Sequence, residues 1–280
     1  PPAAREDRCR RDNHTAAVPA RQLHAQFERI LREYPEYEPT ALSTSPYVLL
    51  LKNFLNSEEA EAFQSVCKSS FERSLAGDQL NPVRTSFQCW CNFAGCFTNP
   101  HVHNVTRRIN SLLRIPYNNG EDLQIVRYLP GQFYRRHHDQ NTALWAPQGP
   151  RVLTFFMYLN DPDEGGETAF PSVGPPPGLK VSPKLGHAVL WPSTLDERPM
   201  EADGRTDHEA MDVIKGVKYG ANMWIHQFDF KTPSERGCEL TYVNTAGRRP
   251  QTREHAALVG GGRVPTAEET EQLAAEQGSI

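Results

Sequence analysis

The six residues Tyr134-Arg135-Arg136-His137-His138-Asp139 decide how the rest of this 280-residue chain is read. In an extended strand, side chains two apart share a face, so His137 and Asp139 converge while His138 turns away. One imidazole and one carboxylate are two thirds of the set of two His and one carboxylate that holds Fe(II) and leaves positions open. The missing third must come from a distant strand, and His208 is the best candidate. His-x-Asp triplets arise often by chance, so the weight rests on the residues downstream of His208. Ten residues on stands Lys218, within Val213-Ile214-Lys215-Gly216-Val217-Lys218-Tyr219, which reads as a hairpin turning at Gly216. Such a hairpin sets a cation beside the metal, where it can pair with the far carboxylate of a chelated dicarboxylate. 2-Oxoglutarate fits that description.

Working outward, short runs rich in β-formers are separated by links containing Gly and Pro. They are 123–129, 133–139, 152–159, 167–170, 179–181, 187–191 and the pair around Gly216. Many short strands of this kind point to an α+β, mainly β chain whose core is a double-stranded β-helix, or jelly roll. N-terminal helices brace it. Leu23, Phe27, Ile30 and Leu31 recur at helical spacing up to Pro35, which predicts a short amphipathic support helix. A continuous apolar run from Tyr47 to Phe54 predicts a buried strand. Asn56 or Ser57 then caps a helix to about Phe71, with Glu58 and Glu59 in its first turn and Phe63, Val66, Cys67 and Phe71 as its inner stripe. A second helix starts at Asn99-Pro100, proline at its favoured first position, and buries Val102, Val105, Ile109, Leu112 and Leu113. In a jelly roll the loops 142–149 and 192–204 would lie at the mouth.

Composition sets outer bounds. With 38% hydrophobic residues the chain can bury a substantial core, and its length suits one large domain with appendages. A net charge of -4 gives no broad attraction to nucleic acid or to anionic membrane, and no apolar run is long enough to span a bilayer. The chain begins with Pro1 rather than Met, which suggests that a leader or anchor was removed or left out. The even count of six cysteines permits disulfides. One involving Cys89, Cys91 or Cys96 is favoured over a zinc site, which lacks a fourth ligand, and Cys67 could be a free core thiol. Asn13-His14-Thr15 and Asn104-Val105-Thr106 match the glycosylation acceptor pattern, and the C-terminus carries no endoplasmic reticulum retention signal. Together these lean toward the secretory pathway or the endoplasmic reticulum lumen, with the cytoplasm as the alternative.

A set of ordered motifs then resembles a known family, the prolyl 4-hydroxylases among the Fe(II) and 2-oxoglutarate dependent dioxygenases. The resemblance runs from about Tyr47 to Phe230. It rests on Val83-Arg84-Thr85-Ser86, Glu121-Asp122-Leu123-Gln124-Ile125-Val126-Arg127-Tyr128, and Gly131-Gln132-Phe133-Tyr134 leading into His137 and Asp139. It continues through Arg151-Val152-Leu153-Thr154-Phe155-Phe156-Met157-Tyr158-Leu159, Glu164-Gly165-Gly166-Glu167-Thr168-Ala169-Phe170-Pro171, Pro183-Lys184-Leu185-Gly186-His187-Ala188-Val189-Leu190-Trp191, and His208 to Lys218 followed by Trp224-Ile225-His226. The resemblance implies Fe(II) on His137, Asp139 and His208, and a 2-oxoglutarate carboxylate on Lys218 assisted by Tyr128 and Thr168. It implies a substrate side made of Arg84, Ser86, Glu121, Tyr134, Arg151, Trp224 and His226. Further implied are O2 and ascorbate as co-reactants, a proline in a peptide or protein as substrate, and succinate and CO2 as by-products, as in a procollagen-type enzyme.

Under this reading residues 1–20 are a disordered or extended tail, 21–45 the N-terminal support helix, 46–232 the catalytic domain, and 233–280 an extension with a Gly-rich linker and a short helix over 266–277. The oligomeric state is left open. Taken alone, Tyr128 also reads as an ordinary sheet tyrosine and Trp224 as core, while His101, His103, His138 and His187 lack a partner at productive spacing. Gly165-Gly166 reads as a tight turn. The chain departs from the family pattern after the distal histidine, with Ala210 where a glycine and Asp212 where a proline are common. Two other readings compete: the same chemistry on a small molecule, against which stand Arg84, Ser86 and Arg151 along a presumptive groove, and a jelly roll that binds peptide without catalysis, which would be expected to have lost a metal ligand or Lys218.

Overall fold

The structure is a computed structural model that describes residues 9–11, 16–76, 80–238 and 240. The sequon at Asn13, part of the N-terminal tail, and the extension beyond 240 with its linker and 266–277 helix lie outside the described residues.

A helix α1 (Leu23–Glu33) leads into strands β1 (Pro39–Thr44) and β2 (Tyr47–Leu51), then helix α2 (Ser57–Val66), β3 (Glu72–Arg73) and β4 (Phe87–Trp90). The short α3 (Ala94–Phe97) and the long α4 (Pro100–Leu113) come next. After them run β5 (Gln124–Tyr128), β6 (Tyr134–His137), β7 (Arg151–Tyr158), β8 (Glu164–Gly165), β9 (Thr168–Phe170), β10 (Leu179–Val181) and β11 (Ala188–Pro192). Strands β12 (His208–Ala210), β13 (Val213–Lys215) and β14 (Lys218–His226), with helix α5 (Lys231–Glu235), complete the described chain. The strands form an eight-stranded sheet, β1-β2-β11-β7-β14-β5-β4-β3, a four-stranded sheet, β10-β9-β12-β6, and the pair β13-β8. All of their pairings are antiparallel. This is the expected jelly roll.

The two faces of the large sheet are separated by the period-2 alternation of its strands. Leu49, Leu51, Ile125, Phe155, Met157, Leu190, Met223 and Ile225 pack with Phe27, Ile30, Phe63, Val105 and Ile109 of the helices. Their sequence neighbours Val48, Leu50, Val126, Tyr128, Phe156, Tyr158, Val189 and Trp191 pack instead toward Phe170, Val181 and Val213 between the sheets. Each large apolar side chain so buried contributes about 1.5–3 kcal/mol. The helices therefore brace one face and leave the other for chemistry. Asn56 caps α2 as expected, in a capping box with Glu59, and Asn99 caps α4.

Several expectations are corrected. Helix α2 ends at Val66 rather than near Phe71. The 21–45 segment is a helix followed by strand β1, whose Pro-Thr-Ala-Leu-Ser-Thr sequence is half-buried and carries no apolar alternation. Residues Val213–Lys215 and Lys218–His226 do not form a hairpin. Strand β13 pairs with β8 and β14 pairs with β5 and β7, so Gly216, at φ +79°, marks a switch between sheets. A side chain there would also meet Asp163 N at 2.9 Å.

Cys67 is not free. The disulfides are Cys67–Cys89, Cys91–Cys96 and Cys9–Cys238. The described part of the N-terminal tail is fixed to the body by the last of these. Hydrogen bonds from Arg11 to Leu144 O and Ala146 O, and between Val18 and Gln227, hold it as well. No helix among the described residues is long and apolar enough to cross a membrane.

Candidate active site

Strands β6 and β12 run antiparallel, with His137 opposite His208 and Ala210 opposite Tyr134. Three steps on β6 thus face two on β12, which is a β-bulge at Arg135 and Arg136. Residues three apart in a regular strand face opposite sides; the extra residue lets Tyr134 and His137 share the cavity, their rings stacked at 3.5 Å. Asp139, just past the strand, completes the group. His137 Nε2 lies 3.7 Å from Asp139 Oδ1 and His208 Nε2 lies 3.5 Å from Asp139 Oδ2. One ligand atom from each of the three lies within 4.8 Å of the others.

The surroundings prepare these side chains for a cation. His137 Nδ1 faces Arg135 O at 2.9 Å and His208 Nδ1 faces Thr206 O at 3.0 Å. With the proton on Nδ1 donated to each carbonyl, the Nε2 lone pairs are left to the site. Burial, reinforced by His208, holds the His137 pKa well below its ordinary value and keeps the ring neutral. Burial alone would raise the pKa of Asp139, but His208, His137, Arg151 and a 2.6 Å hydrogen bond from Thr154 Oγ1 outweigh it, so the carboxylate is held well below its usual range. The donor set therefore fits Fe(II). Thr154→Val is expected to weaken Co(II) binding, read by spectroscopic titration, by about tenfold, because it deletes the hydrogen bond that aims the ligating oxygen.

Lys218 opens β14 with its side chain wholly buried. Among the described residues its ammonium makes one hydrogen bond, 2.6 Å to Gly166 O, and it stands 5.2–5.6 Å from the ring centres of Tyr128, Phe156 and Tyr158. An ammonium has three donors, so this one retains capacity for a carboxylate. Burial pushes its pKa down to about 7. Gly166, at φ +76°, leaves room: a Cβ there would sit 3.1 Å from Lys218 Cδ. The cavity also offers the indole N–H of Trp191, buried and without a hydrogen-bond partner among the described residues, and the hydroxyl of Thr168, which accepts from Tyr158 at 2.7 Å. These groups fit a dicarboxylate.

Of the residues expected on the substrate side, Arg84, Tyr134 and Trp224 line this cavity. Arg84 lies over the Tyr134 ring at 4.6 Å and donates to Ser86 Oγ, Leu75 O and Gln124 Oε1. Ser86 stands behind it, bonded to Ser74 and away from the cavity lining. Glu121, Arg151 and His226 form a buried network beneath the site. Glu121 Oε1 lies 2.7 Å from Arg151 Nε and 2.8 Å from His226 Nε2. Arg151 also donates to Asp139 O at 3.3 Å and stacks over Trp224 at 4.1 Å. His226 Nδ1 faces Gly149 O, so both ring nitrogens meet acceptors, while burial and then Arg151 push its pKa down.

His138 turns away as expected, toward Asp203 O. The loops 142–149 and 192–204 contribute no lining residue among those described. The sequence reading missed Thr154, Phe156, Trp191 and Asn222 as parts of the site. The signal was available: Thr154, Phe156 and Tyr158 alternate on β7, and Asn222 and Trp224 alternate from Lys218 on β14. Asp212, at the position that departs from the resembled family, pairs with Arg135 at 2.6 Å.

Comparison with known proteins agrees with this geometry. A model of the 2OG-Fe(II) oxygenase superfamily matches residues 123–226. Prolyl 4-hydroxylase 1 of Arabidopsis thaliana is 33% identical over 255 residues, spanning 77% of this chain and 87% of the relative. A putative prolyl 4-hydroxylase of Acanthamoeba polyphaga mimivirus is 32% identical over 194 residues, spanning 66% and 75%. Among solved structures, the viral collagen prolyl hydroxylase of Paramecium Bursaria Chlorella virus-1 in its 2OG complex superposes with a TM-score of 0.52 at 27% identity, over 66% of this chain and 98% of that one.

Proposed function

Because the chain belongs to the prolyl 4-hydroxylases of the 2-oxoglutarate and Fe(II) dependent oxygenases, we propose that its cavity binds Fe(II) on His137, Asp139 and His208, 2-oxoglutarate against Lys218, and a prolyl residue between Tyr134 and Trp224. The protein is a dioxygenase acting on proline in peptides or proteins. The observation that carries this reading is the meeting, in one cavity, of three ligand-type side chains and a buried ammonium with donors to spare.

With Fe(II) bound, O2 would be the oxidant and 2-oxoglutarate the co-reductant, one oxygen atom entering a proline C–H as C–OH and the other entering the succinate formed as CO2 leaves. The protein's share is placement. Lys218 anchors the distal carboxylate, with Thr168 and Tyr128 as hydroxyl partners. Tyr134 and Trp224 offer flat apolar faces suited to a pyrrolidine ring, and an extended polyproline II segment arrives with little ordering left to lose. Arg84 holds the Tyr134 ring from above. Arg151 and Glu121 hold Trp224 and the Asp139 backbone from below, acting through other residues.

As finer readings, the substrate is of procollagen type, O2 is the oxidant and ascorbate keeps the iron reduced; the name of the viral relative supports the first. Three disulfides suit an oxidising compartment, which supports the secretory pathway.

The test is succinate release by the purified chain with Fe(II), 2-oxoglutarate and ascorbate, with and without a poly-proline peptide whose mass is then read. The expected result is peptide-stimulated turnover and a peptide heavier by one oxygen. Turnover with an unaltered peptide would move the search to other substrates, and iron binding without turnover would favour a peptide-binding jelly roll.

A further inference from the structure

The bulge in β6 aims His137, and among the described residues the only ladder positions joining β6 to β12 are His137 with His208 and Tyr134 with Ala210. On its other edge β6 is held by the bridge of Arg84 to Tyr134 and by backbone bonds from Thr85 N to Phe133 O and from Arg135 N to Val83 O, so it is the register against β12, set by two positions with a bulge between them, that the ladder specifies sparsely. Both arginines of the bulge point outward and each reaches a carboxylate that flanks β12. Arg135 Nη1 and Nη2 donate to the two oxygens of Asp212, two residues past the strand, at 2.6 and 3.3 Å. Its guanidinium also lies 3.4 Å from the centre of the Phe133 ring. Arg136 Nε donates to Asp207, which immediately precedes His208, at 3.2 Å, and Nη2 donates to Ser172 just past β9 at 3.1 Å.

We propose that Arg135 and Arg136 are positioning residues, two ionic clamps at opposite ends of β12 that hold the bulge and so set the spacing of His137 and His208 for the metal. The bidentate Arg135–Asp212 pair fixes orientation as well as distance. Arg136 ties β6 across β12 to the end of β9, so the strand carrying His208 is held from both sides. The pairs are half-exposed, with side-chain exposures of 46% and 45% for the first and 51% and 29% for the second, so their worth to global stability is small and screened by salt. Their leverage is local, because ligand geometry tolerates displacements of only about 0.5 Å.

The inference rests on the reading of His137 and His208 as ligands, and the experiment separates the two. Co(II) binding to the full chain is titrated spectroscopically for the wild type, for Arg135→Gln, Arg136→Gln and their double variant, and for the exchange Arg135→Asp with Asp212→Arg. Each single variant is expected to bind about two- to fivefold more weakly, with little change in Tm. Raising salt from about 0.05 to about 0.5 M should weaken the wild type and leave the double variant almost unmoved. The exchange should recover most of the Arg135 loss. An unchanged Co(II) affinity in the double variant overturns the proposal, as does a loss that follows Tm and is neither salt-dependent nor restored by the exchange. Failure of the wild type to bind Co(II) would overturn the ligand reading itself.

Discussion

Asp139→Ala, and equally His208→Ala, should fold normally yet release no succinate and bind Co(II) at least about 100-fold more weakly than the wild type, since loss of a direct ligand exceeds the 10- to 100-fold cost of losing a group behind one. The two imidazoles are already committed through Nδ1 to Arg135 O and Thr206 O, so neither ring is free to turn and compensate. Asp139 is also the only carboxylate of the group, and its depressed pKa keeps it charged throughout the working range. In its absence the Thr154 hydroxyl loses its acceptor in a buried place, which adds to the damage, while Arg151 keeps its bond to the main-chain oxygen of residue 139. The measurement is paired: Co(II) titration for the site and circular dichroism for the fold. Full activity in His208→Ala would end the metal assignment.

Lys218→Met should act in two directions at once. The 2-oxoglutarate dissociation constant should rise about 30-fold or more, as expected when one member of a buried charge pair is truncated, while turnover at saturating co-substrate falls much less. The unliganded protein should nevertheless melt higher, because a wholly buried ammonium with a single hydrogen bond is replaced by an apolar side chain of similar length. The pH dependence has a definite sign. Burial lowers the folded-state pKa of Lys218 to about 7 from 10.5, so between these values the unfolded chain binds the extra proton and stability rises with pH, with no further change below about 7. Affinity for the dicarboxylate runs the other way, falling as pH rises through about 7 and the ammonium is lost. Calorimetry across pH 6 to about 9, on wild type and variant, reads both trends, and a variant that keeps them both would show that another group is responsible.

Much of this was legible in the residues because the decisive signals are short-range. The alternation of β7 and the apolar run of β2 separate the two faces of the large sheet from sequence alone, and the caps at Asn56 and Asn99 mark helix starts through one side chain each. What escaped depends on partners far along the chain. Nothing between Val213 and Lys218 says that the two strands join different sheets, since the competing partners lie on β8, β5 and β7. Strand β1 runs at the edge of the sheet, half-buried, where polar residues are tolerated and the periodic signal fades. The inward stripe that marked Cys67 as core was read correctly for burial, but its partner Cys89 arrives from a different element. The bulge in β6 has no signature of its own. The expectation that His137 and Asp139 share a face came from regular alternation, whereas β6 ends at His137 and Asp139 reaches the group from beyond it.

The Cys9–Cys238 bond has a mechanical consequence. It joins residues 229 apart in sequence, so both sheets and every candidate site residue lie inside one covalent ring. Tension applied from outside that ring passes through the two sulfurs and leaves the enclosed strands unloaded. Drawn by its ends or threaded into a processive unfolding machine, the oxidised protein should resist extension until the bond is reduced, and a single-molecule trace should show the full contour length of the jelly roll only in the presence of a thiol.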